Sequence, residues 1–138
     1  MGGRLGAASS DGAHLTEGRC NLMRVDFNQI EPITIPGMNR GTGMMTAKMY
    51  ADKQGKIIPC VIHPGGAIGL HRHASSDNIN YVISGSGMAT TDGEKEPLSA
   101  GICHICRKGS SHSIVNTGQE DLVLLTIAVE HETKEKHL

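Results

Sequence analysis

Short β-like runs separated by turn-forming residues constrain the fold of this 138-residue chain more than any other feature. Gly, Asp, Asn, Ser and Pro fill the gaps between the runs, and residues 51–55 and 91–94 carry the Asp/Gly chemistry of hairpin loops. The runs cover residues 44–50, 56–63, 68–73, 79–84, 87–91, 102–107, 113–116 and 122–130. Long segments with a helical period and caps are missing. The pattern predicts an all-β sandwich or barrel with little helix.

Length and composition predict how the chain is divided. With 38% hydrophobic residues over 138 positions, the chain can build a single core. Residues 1–22 are rich in small residues without a hydrophobic period, so we expect them to form a flexible leader. Residues 23–138 are then expected to form one domain, with a barrel core at about residues 44–130.

The charge and the cysteine content of the chain limit the functions that it can have. The net charge of −1 offers no field that would recruit nucleic acid or an anionic membrane. Neither a long apolar segment nor an export signal is evident, which predicts a cytoplasmic protein. The four cysteines, at positions 20, 60, 103 and 106, are therefore expected to be free thiols. Aromatic residues make up only 2% of the chain, which disfavours a flat aromatic ligand.

Two histidines carry the clearest chemical signal. His71 and His73 are two positions apart in a β-like run, so their imidazoles project from the same face of one strand. Imidazole nitrogens suit divalent transition metals, and a third histidine from a neighbouring strand would complete such a site. His112 is the candidate. An H-x-H pair alone also fits two partly exposed histidines on an edge strand.

Two longer gapped patterns contain these histidines. Residues 65–87 (GGAIGLHRHASSDNINYVISGSG) resemble the first cupin motif, and residues 101–116 (GICHICRKGSSHSIVN) resemble the second. The matching positions are Gly65, His71, His73, Gly85, Gly101, Gly109, His112 and Asn116. With the flanking strands, the resemblance to a small single-domain cupin covers about residues 44–130.

The resemblance implies a double-stranded β-helix, the jelly-roll barrel of cupins, with one divalent metal ion (Fe, Mn, Ni or Zn) on His71, His73 and His112. The chain departs from the motif at Asn78, which stands where the first motif has glutamate and is a candidate fourth ligand. An amide oxygen is a weaker ligand than a carboxylate, so the ion would keep its double charge and favour an anionic or chelating small molecule. The site thereby resembles that of three-histidine cupin dioxygenases.

Strand alternation predicts which side chains line the pocket. Asn80 and Val82 share the face of Asn78, whereas Ala67 and Gly69 share the face of His71 and would leave room beside the metal. Asn80 fits either a ligand contact or a structural amide bonded to backbone. Residues 79, 81 and 83 would face outward as Ile, Tyr and Ile, an apolar surface that predicts a homodimer.

Two functions follow from such a site. The first is a metalloenzyme, for instance a metal-dependent dioxygenase, with His63, His104 or Tyr81 as acid or base. The second is a module that binds or senses a small molecule or a metal without turnover. The motifs contain no evident carboxylate base, and the fold alone identifies no substrate.

Overall fold

The computed structural model describes residues 23–131. Its contacts divide the chain into an amino-terminal unit that ends at Pro32 and a larger unit that begins at Ile33. In the first unit, a 3-10 helix at Phe27–Gln29 is capped by Asp26, whose Oδ1 accepts the Asn28 N–H at 3.0 Å. The expected leader, residues 1–22, lies outside the described residues, and the extent of the domain stays a prediction.

The larger unit is built almost entirely of strands, which confirms the all-β prediction. Its described strands are β1 (Ile33–Pro36), β2 (Met44–Ala47), β3 (Tyr50–Asp52), β4 (Gly55–Ile62), β5 (Ala67–Arg72), β6 (Ser76–Ser84), β7 (Ser86–Thr91), β8 (Glu94–Ser99), β9 (Cys103–Cys106), β10 (Ser111–Asn116) and β11 (Leu122–Glu130). A single 3-10 turn at Met38–Arg40 accompanies them among residues 33–131. No helix within the described residues has the length and apolar character that crossing a membrane would require.

The strands form two antiparallel sheets. The first has the order β9-β6-β11-β4-β2-β1, with β3 also paired to β4, and the second has the order β5-β10-β7-β8. Most neighbours in each sheet are far apart in the sequence, as in the pairing of β5 with β10. This connectivity is that of a jelly roll, as the motifs imply.

Two strands were not expected from the sequence. Residues 91–97 were interpreted as a connector, but residues 94–99 form β8 at the edge of the four-stranded sheet. Charged residues and Pro97 suit an edge, where one row of backbone groups needs no partner strand. The turn before it is a two-residue hairpin in which Asp92 and Gly93 both have positive φ, 48° and 88°. β1, at one edge of the seven-stranded sheet, was not expected either, and β3 includes residues 51 and 52, which were expected in a hairpin loop.

The space between the sheets has an apolar part and a polar part. Buried hydrophobic side chains from both sheets pack together, including Ile62, Val82, Ile114, Leu122 and Leu124. The polar part holds buried amide, hydroxyl and imidazole groups, namely Asn78, Asn80, His104, His112 and Thr126. Buried polar groups persist only when they are hydrogen-bonded, so this part requires a defined network.

Glycines of the two motifs shape the turns that border this interior. Gly85 and Gly109 have φ of 96° and 94°, which side chains with a Cβ rarely adopt. A Cβ at Gly85 would also overlap the carbonyl oxygen of Asp121. The expected role of these glycines as turn positions is confirmed.

Candidate metal centre

Three imidazoles converge in the polar interior. His71 lies on β5, His73 follows that strand directly, and His112 on β10 is the cross-strand partner of His71. The Nε2 of His73 is 3.0 Å from the Nε2 of His71 and 3.0 Å from the Nε2 of His112. All three ligand atoms lie within 4.8 Å of one another, and no other set of three or more His, Cys, Asp or Glu within residues 23–131 meets the same condition.

A hydrogen bond from the Nδ1 of His71 determines which of its two ring nitrogens is available as a metal ligand. The Nδ1 of His71 lies 2.7 Å from the carbonyl oxygen of Gly69. Because a carbonyl can only accept, this Nδ1 carries the proton, and a neutral His71 presents the lone pair of Nε2 to the other two histidines. Such a bond to the outer nitrogen is the usual way in which proteins orient a metal-bound imidazole.

The geometry of the donor atoms fits a divalent metal ion. Two nitrogens that each lie about 2.1 Å from one ion, at a right angle, are about 3 Å apart. The two Nε2–Nε2 distances of 3.0 Å match this spacing. Lone pairs that converge so closely repel one another unless a proton or a cation lies between them, so the group could hold a metal ion.

Burial favours the neutral form of two of these imidazoles, those of His112 and His73. The pKa of His112 is lowered to about 3, mainly because burial disfavours the charged ring and further because His71, His104 and His73 lie close. The pKa of His73 is also lowered, by burial and then by the charges of His71 and Lys56. Metals bind the neutral form of histidine, so both shifts keep the ligands available.

The candidate fourth ligand, Asn78, is held in place by a neighbouring amide. Its Oδ1 accepts a hydrogen bond from Asn80 Nδ2 at 2.8 Å, and Asn80 Oδ1 accepts one from Thr126 Oγ1 at 2.8 Å. Asn78, Asn80 and Val82 are buried, as strand alternation predicts. Of the two alternatives for Asn80, the buried contacts favour the structural amide, although its main partners are side chains rather than backbone.

The prediction that small residues leave room beside the metal is wrong at Gly69. Gly69 does not leave room beside the histidines, since a Cβ there would overlap the carbonyl oxygen of Asn39 and lie close to the backbone nitrogen of Gly41. The segment around Met38–Arg40 fills that space. Ala67 is partly buried on the same strand, and Val82 packs in the hydrophobic core rather than beside the imidazoles.

The three catalytic candidates lie in different surroundings. Tyr81 is 45% exposed on the outer face of β6, opposite to buried Asn80, so its hydroxyl does not lie among the interior imidazoles. His63 is engaged by residues outside the cluster, with Nε2 2.8 Å from Thr46 Oγ1 and Nδ1 3.0 Å from Asp121 Oδ1.

His104 is the candidate that lies beside the cluster. The sequence left open whether Cys103 or His104 points inward, and it is His104, which is fully buried. Its Nε2 lies 2.9 Å from the Nδ1 of His112.

Cys103 is exposed and Cys106 is buried, both as free thiols, like Cys60. Burial raises the pKa of Cys106, so this thiol stays protonated and is a poor ligand.

One residue that contacts this line of histidines was missed from the sequence. Glu96 Oε2 lies 2.5 Å from the Nδ1 of His104. In the β7–β8 pair Glu96 is opposite Ala89, and in the next pair Ala89 is opposite Ile114; Ala89 and Ile114 are both buried. Cross-strand partners share a face, so Glu96 points toward the interior. The Asp92-Gly93 hairpin, which fixes this register, was the available signal.

Comparisons with known proteins agree with this architecture. A family model described as "Cupin domain" matches residues 60–128. The chain is 30% identical, over 78% of its length and 93% of the relative's, to a protein of Thermotoga maritima named "Oxalate-binding protein". A solved structure from Thermotoga maritima, described as a "predicted oxalate decarboxylase", superposes with a TM-score of 0.74 at 30% identity and covers 79% of this chain and all of that one. An RmlC-like cupin from Shewanella frigidimarina superposes with a TM-score of 0.63 at 18% identity, over 80% of this chain and 91% of its own, which concerns the fold alone.

Proposed function

We propose that this chain, which belongs to the cupin domain family, binds one divalent metal ion on His71, His73 and His112. Through that ion it binds a small chelating dianion of the oxalate class. The observation that carries the proposal is the convergence of the three Nε2 atoms, 3.0 Å from His73 to each of the other two. Nitrogen donors of this kind suit Mn, Fe, Ni or Zn, and the protein's own preference among them is open to direct measurement.

Charge balance favours an anionic ligand. When bound, the ion supplies two positive charges and open coordination positions. Imidazoles bind a metal in their neutral form, and Asn78 contributes no charge where cupins of the common motif have glutamate. The buried polar side chains of the described chain are those of Ser76, Asn78, Asn80, His104, His112, Asn116 and Thr126, and none is a carboxylate. A dianion with two oxygens in chelating positions would neutralise the centre.

Access to the cluster supports the binding of a small ligand. His112 is fully buried, whereas His71 and His73 are only half-buried. The two half-buried imidazoles therefore mark the side from which solvent reaches the cluster. The relative from Thermotoga maritima is named for oxalate binding, which is why oxalate is proposed as the first ligand to test.

Turnover of the ligand is the second candidate function. The similar solved structure is described as a "predicted oxalate decarboxylase", and dioxygenase chemistry would also use a chelating substrate. General acid or base catalysis needs a titratable group within reach of the substrate. Tyr81 faces outward, His63 is engaged elsewhere and His104 lies behind His112, so binding without turnover is the function that the described residues support better.

Calorimetric titration tests the proposal. Oxalate is titrated into metal-loaded protein, into metal-stripped protein and into metal-loaded protein already saturated with acetate. We expect oxalate to bind only the metal-loaded forms, with acetate as a weak competitor because it has a single carboxylate. Oxalate binding that is equally strong without metal would refute the proposal. The amount of oxalate is also assayed in the same samples over hours. If it fell, the function would be turnover of oxalate rather than binding alone.

A further inference from the structure

Behind His112, two further residues form a line that leads away from the candidate metal centre. His104 has its Nε2 2.9 Å from His112 Nδ1 and its Nδ1 2.5 Å from Glu96 Oε2. The two imidazole planes differ by 20° and their centroids are 5.1 Å apart. With so short a nitrogen–nitrogen contact, that centroid separation places the rings edge to edge and nearly coplanar, as an N–H···N hydrogen bond requires.

Accounting for donors and acceptors along the line gives each nitrogen a role. An ionised Glu96 can only accept, so Nδ1 of His104 donates to it. In a neutral His104 the other nitrogen, Nε2, then accepts, and Nδ1 of His112 donates. His112 is thereby left with a lone pair on Nε2, the atom that lies 3.0 Å from His73 Nε2.

We propose that Glu96, acting through His104, is a positioning residue that holds His112 in the tautomer whose Nε2 lone pair points at His71 and His73. The proposal rests on the proposed function, since it concerns how that metal site is prepared. It extends by one imidazole the common arrangement in which a carboxylate orients a metal-binding histidine.

The surroundings of the three residues support a role beyond packing. His104 and His112 are each about 1% exposed. Water therefore could not hydrogen-bond to a ring nitrogen that lost its protein partner because the proton was on the other nitrogen. Glu96 is on an edge strand with its side chain 53% exposed, and it reaches inward to the buried ring of His104. A carboxylate at that place also makes His104 a better hydrogen-bond acceptor. The stronger hydrogen bond from His112 in turn makes the lone pair of its Nε2 a better metal ligand.

Two measurements test the inference, and the first uses the unaltered protein. Long-range proton–nitrogen NMR of metal-free protein distinguishes the two tautomers of each histidine. We expect the proton of His112 on Nδ1. A proton on Nε2 of His112, including one forced there by a doubly protonated His104, would overturn the proposal.

The second measurement is the affinity for Ni²⁺, determined by competition with a chromophoric chelator. Glu96→Gln keeps the shape of the side chain but removes its charge, and we expect the affinity to fall by about tenfold. Glu94→Gln is the matched control, because Glu94 is exposed on the same strand and two positions away, and its variant should stay within about twofold of wild type. The NMR spectrum of Glu96→Gln should also show a mixture of His112 tautomers.

The outcomes separate this inference from the proposed function. If wild-type protein binds Ni²⁺ and Glu96→Gln binds it equally well, the positioning role is wrong and the metal site remains. If wild-type protein binds no metal, both fall. A loss that is the same for Glu94→Gln and Glu96→Gln would indicate a general effect of charge at the sheet edge and would also overturn the positioning role.

Discussion

The Nε2 atoms of His73 and His112 lie 3.0 Å apart, although 39 positions separate the two residues in the chain. The pairing of β5 with β10 produces this proximity, because His71 and His112 are cross-strand partners in that pair. Assembly of the histidine cluster therefore depends on this pairing of strands that are distant in the sequence. The stability of the fold and the integrity of the cluster should respond together to several changes.

Acidification should destabilise the metal-free protein. The pKa of His112 is about 3 in the folded chain, against an ordinary value of 6.5, and the pKa of His73 is lowered as well. Between these values the unfolded chain binds more protons, so the free energy of unfolding falls as the pH drops below about 6.5, by at most about 1.4 kcal/mol per pH unit for one proton. Urea unfolding in the presence of a chelator at pH 7 and pH 5 measures the effect.

A variant and a pH window isolate the histidine contribution to this effect. His112→Gln should show a smaller drop than wild type between pH 7 and pH 5. Asp77, whose pKa is lowered to about 2 by its hydrogen bonds to Lys108, His131 and Arg107, contributes stability that is lost only below about pH 4. Equal drops in wild type and His112→Gln would contradict the assignment.

Gly69→Ala should disturb the strand that carries His71. Its Cβ would overlap the carbonyl oxygen of Asn39, and backbone atoms cannot move aside as a flexible side chain can. We expect a loss of about 1–3 kcal/mol in unfolding free energy, together with weaker metal binding. Leu70→Ala, which changes a 67% exposed neighbour, is the control and should have little effect. Unchanged stability of Gly69→Ala would mean that the Met38–Arg40 segment yields easily.

Asn78→Glu should raise the affinity for the metal ion and lower the affinity of the loaded protein for the anion. A carboxylate there would add a negative charge to the polar interior that holds His112, so metal binding should tighten by about tenfold. Oxalate binding to the loaded protein should weaken by a similar factor, since the ion then carries less uncompensated charge. Asn78→Gln, with the same length as glutamate and no charge, is the matched control. If both variants behaved alike in calorimetry, charge would not be the reason for the preference.

We propose that two copies of the chain associate through the outer face of the seven-stranded sheet. Tyr81 and Ile83 are 45% and 52% exposed there, and Ile105 is 41% exposed on the adjoining strand β9. Sedimentation should give twice the mass of one chain, and Tyr81→Lys combined with Ile83→Lys should give the mass of one. Leu70→Lys places a charge at an exposed leucine of the other sheet and should leave the mass unchanged. A monomeric wild type would contradict the proposal.

The sequence indicated the strand positions and the facing of the histidine side chains well. Alternation with a period of two determines that His71 and His73 share a face, and the same rule places Asn78 and Asn80 inside. Both are local properties of one strand, which makes them readable from a single sequence.

Contacts between distant segments could not be read in this way. The backbone near Asn39 that fills the space beside Gly69 comes from a segment with no periodic signal. Glu96 lies on β8, at the edge of the four-stranded sheet, and it contacts His104 of the other sheet. The charged sequence of β8 was interpreted as a loop. Tyr81 was considered as a catalytic residue for its chemistry although its alternation already placed it outside.

Metal binding by the histidine cluster is tested most directly by the stoichiometry and affinity of metal-stripped protein titrated with Mn²⁺, Ni²⁺ and Zn²⁺. The same titration is made on His73→Ala and on His131→Ala, whose histidine lies outside the cluster and contacts Asp77. We expect one ion per chain in wild type and in His131→Ala, and a loss of at least about a hundredfold in affinity in His73→Ala. Equal affinity of His73→Ala and wild type would contradict the assignment of His71, His73 and His112 as the metal site.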